Sequence, residues 1–165
     1  MLDKKQVLEH IIRPTLELLD MGGEAAEILV LGTGLAESKL SAIVQYGGGP
    51  AQGIYQMEPP THDDIWTHWL KSSKKRLVRK TVENLIVPGI SRSSQLKGNL
   101  YYATAMCRLH YRRVPAALPP ADDPELMAKY HKKYYNTYLG KADPEVTVMD
   151  FAEARNVVFK KGEYA

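Results

Sequence analysis

Between Glu27 and Glu37 the chain passes through nine residues, Ile-Leu-Val-Leu-Gly-Thr-Gly-Leu-Ala, without a single charge. A segment so apolar cannot lie along a surface as an ordinary amphipathic helix, so the rest of the chain has to pack around it. The Met-Gly-Gly at 21–23 is a stop signal before it, and Glu24 to Glu37 reads as one helix. A buried strand is the competing reading of so short an apolar run. Gly32 and Gly34 each cost a helix about 1 kcal/mol. In return they let another helix, or a ligand, approach the backbone closely.

The flanking segments supply what would surround it. Val7, Leu8, Ile11, Ile12, Leu16 and Leu19 recur at three- and four-residue spacing, which predicts an amphipathic helix broken or kinked near Arg13 by Pro14. Residues 41–60, rich in glycine and proline, read as a loop with at most short strands. Thr61 is the expected cap of a helix carrying Ile65, Trp66 and Trp69, and a basic helix follows over 73–86. Ser93 or Ser94 is expected to cap a long helix through 101–113. Asp123-Pro124 and Asp143-Pro144 both read as helix starts, with Gly140 as a stop between them. The sum is one domain over residues 1–165, mainly α, with about seven helices around one core and little or no sheet near residues 41–57.

Composition narrows the class further. At 165 residues, 44% hydrophobic and 25% charged, the chain can bury a core without disulfides or metal. Its one cysteine, Cys107, reads as a small helix residue facing that core. The N-terminus is charged and periodic, without the apolar stretch of a secretion signal, and no run approaches the length of a membrane span. The expectation is a protein made in the cytoplasm with no export signal. The formal charge of +3 is mild, and its densest part is 71–80. That run reads as a solvated helix face, with an anionic wall polymer or a protein as the next candidates. No nucleic-acid-binding motif accompanies it.

Two stretches point to chemistry. Glu37 closes the apolar segment, where burial would disfavour its charged form and suit it to donating a proton to a leaving oxygen. Spacing alone favours a surface glutamate beyond the last apolar turn, and the stretch that follows shifts that weighting. The stretch Gly-Ile-Tyr-Gln-Met-Glu-Pro-Pro-Thr at 53–61 offers an amide, a ring and a soft apolar side chain beside a glycine-rich loop, a mixture suited to a carbohydrate. His62, Asp63, Asp64 and His68 do not have a metal-site spacing, since two histidines six apart fall on different sides of a helix. His110 and His131 read as isolated helix residues, exposed or partly buried.

Taken in order, these stretches resemble the soluble lytic transglycosylase family. Its pattern is a catalytic Glu-Ser at a helix end, then Gly-Leu-Met-Gln followed by proline and threonine, and later Ala-Tyr-Asn. Here the matching residues are Glu37-Ser38, then Gly53-Ile54-Tyr55-Gln56-Met57 with Pro59, Pro60 and Thr61, then Tyr135-Asn136. Tyr55 stands where leucine or methionine is usual, and Tyr134 replaces the alanine of the third motif. The resemblance spans about residues 24–140, and its wording is similar to a divergent branch found in bacteriophages.

The resemblance implies a lysozyme-like fold of the α+β superfamily and peptidoglycan glycan strands as substrate. It implies Glu37 as catalytic acid and base, with Ser38, Gly53, Tyr55, Gln56, Met57, Tyr135 and Asn136 binding substrate, and neither metal nor cofactor. Glu37 would protonate the oxygen between N-acetylmuramic acid and N-acetylglucosamine, then take the proton of the muramic C6 hydroxyl to close an anhydro ring. Lysozyme-type hydrolysis, with a second carboxylate drawn from Glu58, Asp63 or Asp64, remains open. The alternative is a non-catalytic virion protein that keeps the fold, with tail or other virion proteins as partners.

Overall fold

The charge-free segment forms a helix buried on every side, Glu24–Ser38, in which Ile28, Leu29, Val30, Leu31 and Thr33 have no exposed surface. The computed structural model describes residues 1–135 and 143–160, and among these it contains eight helices and no sheet. The chain is therefore mainly α. We number the helices α1 (4–18), α2 (Glu24–Ser38), α3 (59–69), α4 (Arg76–Asn84), α5 (Gln95–Gly98), α6 (Leu100–Arg112), α7 (Pro124–Tyr134) and α8 (Pro144–Phe159).

The two glycines of α2 are close-approach points. A Cβ on Gly32 would stand 2.3 Å from the Phe151 ring of α8, and one on Gly34 would meet Leu40 at 2.4 Å and the Tyr55 ring at 3.3 Å. The helix propensity lost at each is offset by the packing that the missing side chain permits. Around α2 the core gathers Ile12 and Leu16 of α1, Met106 and Leu109 of α6, Met127 of α7, and Phe151, Ala154 and Val158 of α8.

Pro14 does not break α1. The turn before it, Leu8–Ile12, widens to a π turn in which the Arg13 N–H reaches the Leu8 carbonyl. Proline leaves the carbonyl four residues back, that of His10, without its usual helix partner. The Tyr101 hydroxyl donates to that carbonyl at 2.9 Å. A π turn also ends α3, over Ile65–Trp69. That helix starts two residues before the expected Thr61, because Pro59 and Pro60 occupy its first turn, where an amide proton has no helix partner to lose.

The long helix expected after Ser93 is divided at Asn99. Its side chain accepts from the Tyr102 amide at 3.1 Å and donates to the Leu85 carbonyl at 2.7 Å, so Asn99, rather than a serine, caps α6. Asp123 and Asp143 cap α7 and α8 as expected. The predicted stop at Gly140 lies outside the described residues. Residues 41–57 hold only isolated antiparallel bridges, Val44 with Gln52 and Gln52 with Met57. No helix among the described residues is long and apolar enough to cross a membrane.

The candidate active site around Glu37

Helix α2 ends in a way that sets Glu37 apart from an ordinary last-turn glutamate. Lys39 and Leu40 both adopt left-handed backbone, at φ 52° and 55°, and their amides return to the Leu35 and Gly34 carbonyls. Such a conformation is costly in residues other than glycine and is held by its surroundings. Leu40 is fully buried, and Lys39 forms an ion pair with Asp150 of α8. The turn carries the chain sharply off the helix axis and leaves the Glu37 side chain recessed, with 16% of it exposed.

Two clasps fix the loop 53–57 beside this end. The Ser38 hydroxyl donates to the Ile54 carbonyl at 2.7 Å, and the Tyr135 hydroxyl, arriving from the end of α7, donates to the Tyr55 carbonyl at 2.7 Å. Gly53 is required where it stands. Its φ is +75°, and a Cβ there would lie 2.0 Å from the Leu96 carbonyl oxygen. Gln56 is also left-handed, at φ 47°, and its amide donates to the Gly53 carbonyl at 2.9 Å.

The partner of Glu37 is a residue that sequence reasoning passed over. His131 Nε2 lies 3.0 Å from Glu37 Oε1, and the imidazole is 2% exposed. Its ring stacks near Tyr135 and packs against Phe151, each at 5.5 Å between centroids. Its other nitrogen, Nδ1, is 2.9 Å from the Tyr111 hydroxyl, which is 2.7 Å from Thr33 Oγ1. The Thr33 hydroxyl donates to the Leu29 carbonyl at 2.7 Å. Cys107, Tyr111 and Tyr135 surround the carboxylate closely enough that its charge adds to the burial that pushes all three upward in pKa. They stay protonated.

The expected site residues therefore separate into groups. Glu37, Ser38, Gly53, Gln56 and Tyr135 belong to one constellation with the loop 53–57. Tyr55 and Met57 are corrections: at 1% and 3% exposure they form core behind the loop and offer no side-chain surface to a sugar. Tyr55 is held there by a 2.8 Å hydrogen bond to Thr104. Tyr135 hydrogen-bonds the Tyr55 carbonyl, and the residue that contacts Glu37 is His131, one helical turn earlier. Asn136 lies outside the described residues.

Of the other candidate carboxylates, Glu58 is exposed, and the two aspartates have partners of their own. Asp63 bonds His62 at 2.8 Å, and Asp64 binds Arg113 and His68. The Arg113 guanidinium holds Asp64 below the usual carboxylate range. Among the described residues no cluster of three His, Cys, Asp or Glu side chains could hold a metal ion. His110, whose ring meets Tyr135 edge-on at 4.9 Å, is pushed down to about 4 by burial and by the charges of Arg113 and His131. Its Nδ1 accepts from the Arg113 guanidinium at 2.8 Å, a bond that a protonated ring cannot make.

A histidine lowered in this way takes its proton in the unfolded chain near pH 6.5 and in the folded one only near 4. The unfolded state thus binds more protons between those values, and stability falls as pH drops through that window. Urea unfolding at a series of pH values should show the slope, and His110→Gln should flatten it. An unchanged slope in the variant would assign the acid sensitivity elsewhere. Comparison of the chain with known families, with curated proteins and with solved structures gives no match.

Proposed function

We propose that the protein is a peptidoglycan-cleaving enzyme of lysozyme-like fold, a lytic transglycosylase acting on the bond between N-acetylmuramic acid and N-acetylglucosamine. The observation that carries this reading is the recessed Glu37 carboxylate held against a buried imidazole at the end of a fully buried helix. A carboxyl in that setting can give a proton to a glycosidic oxygen and accept one back. Support also comes from the loop 53–57, which the resemblance makes a substrate wall and which is clasped to the residue after Glu37. Glu37 would act alone. Asp63 and Asp64 already have histidine and arginine partners and Glu58 is exposed, which favours a single-carboxylate route that closes an anhydro ring without water.

The test is digestion of purified cell walls from several hosts with mass analysis of the fragments. Anhydro-muramic ends, lighter by one water than hydrolytic ends, are expected. Reducing ends would move the enzyme to the lysozyme class. Release of no fragments from any host would favour the non-catalytic virion protein.

A further inference from the structure

The hydrogen bonds that lead away from Glu37 have a direction, and it can be worked out by counting protons. Thr33 has one hydroxyl proton, and it is given to the Leu29 carbonyl. The 2.7 Å contact between Thr33 and Tyr111 is then a hydrogen bond only if Tyr111 donates. With its proton spent, the Tyr111 oxygen must accept from His131, so Nδ1 carries a hydrogen. The 3.0 Å contact between Nε2 and Glu37 Oε1 then needs a proton of its own, because an imidazole lone pair facing a carboxylate is repulsive. In this setting the His131–Glu37 pair holds one proton beyond that of a neutral imidazole.

The chain has a second setting. If the extra proton leaves, His131 can carry its hydrogen on Nε2 and donate to the Glu37 carboxylate. Nδ1 then accepts from Tyr111, and Tyr111 accepts from Thr33. Every contact between side chains survives, and only the Thr33 bond to Leu29 is given up. The filled and emptied settings thus differ by one proton and by the direction of every hydroxyl between Glu37 and Thr33.

We propose that Thr33, Tyr111 and His131 are positioning residues forming an oriented hydrogen-bond chain, in which the Thr33 bond to Leu29 biases Glu37 toward its proton-loaded state. The catalytic part rests on the glycosidase reading above: during turnover the extra proton leaves through the Glu37 carboxyl to the leaving oxygen, Nδ1 keeps its hydrogen because Tyr111 and Thr33 have no open acceptor to pass it to, and the C6 hydroxyl proton restores the starting state. No proton is gained or lost over a cycle.

The experiment reads the side-chain nitrogens of His131 by long-range nitrogen–proton NMR on the whole protein at neutral pH, assigned with His131→Gln. Wild type should show Nδ1 protonated. Thr33→Val keeps the shape of a fully buried side chain but leaves the Tyr111 proton no acceptor except Nδ1. His131 should therefore switch to the Nε2–H form, and Thr33→Ser should restore the wild-type pattern. Tyr111→Phe removes the acceptor of the Nδ1 proton and should give the same switch by a separate route, should the valine variant fold poorly.

On cell walls, Thr33→Val should lower kcat by about 10²-fold with KM unchanged, the size of a lost general-acid contribution. Wild type already in the Nε2–H form, or folded variants that leave Nδ1 protonated, would overturn the oriented chain. A wild type inactive on walls but with the predicted switch would support the chain and overturn only the glycosidase reading.

Discussion

Glu37→Gln is expected to reduce glycan-strand cleavage by at least about 10²–10⁴-fold, since the amide can neither deliver the proton to the leaving oxygen nor recover it. The fold should be undisturbed. A glutamine side chain fits the same recess, and its N–H can donate to His131 Nε2 where the shared proton now lies, so the buried imidazole keeps its partner. The thermal midpoint should stay level or rise slightly, as it often does when a site strained for function is relaxed. Glu58→Gln, Asp63→Asn and Asp64→Asn should each retain most activity. Fragment release and thermal melting on the same four variants make the check. Full activity in Glu37→Gln would end the single-carboxylate mechanism, and loss of activity in one of the others would identify a second carboxylate.

Gly53→Ala should be among the most damaging small substitutions in the chain. Alanine at φ +75° pays about 1–2 kcal/mol for the left-handed backbone. Its Cβ would also fall 2.0 Å from the Leu96 carbonyl oxygen, and backbone cannot swing aside as a side chain can. Relieving such overpacking costs about 1–3 kcal/mol more. A total of about 2–5 kcal/mol is a large part of the stability of a typical domain, about 5–15 kcal/mol. At this chain length it corresponds to a drop of about 4–20 °C in melting temperature. Gly48→Ala is the control, because Gly48 has φ +83° and nothing within 4 Å of a Cβ. It should show the backbone cost alone. Equal losses in the two variants would mean that the loop shifts away from Leu96 freely.

The sequence made the helical class legible because so long an uncharged run has to be buried, whereas spacing alone left Glu37 a surface residue and only the motifs around it set it apart. The capping aspartates before Pro124 and Pro144 were legible because capping is local chemistry. What escaped was tertiary. Tyr55 looks like a sugar platform in a glycine-rich loop, yet the space above Gly34 draws its ring inward to Thr104. His131 looked isolated because its partners are remote in the chain. One signal was present: if Tyr135 reaches the site from α7, the residue four earlier shares its face, as Thr33 shares that of Glu37 on α2. By residue type alone the serines before Asn99 are equally good caps, and only the resemblance pointed to an asparagine-led helix there.

The clasps around Glu37 also bear on how the site comes into being during folding. Thr33 and Tyr111 are 78 positions apart, Tyr55 and Tyr135 80, and Lys39 and Asp150 111. Each contact closes a long loop of chain, and the entropy of that closure has to be met before the contact contributes anything. No early hairpin or helix pair contains the constellation, so Glu37 acquires its imidazole only when α7 and α8 dock on α2. Competence and completed folding should therefore arrive together, and a chain truncated before α7 would carry the glutamate without the surroundings that equip it.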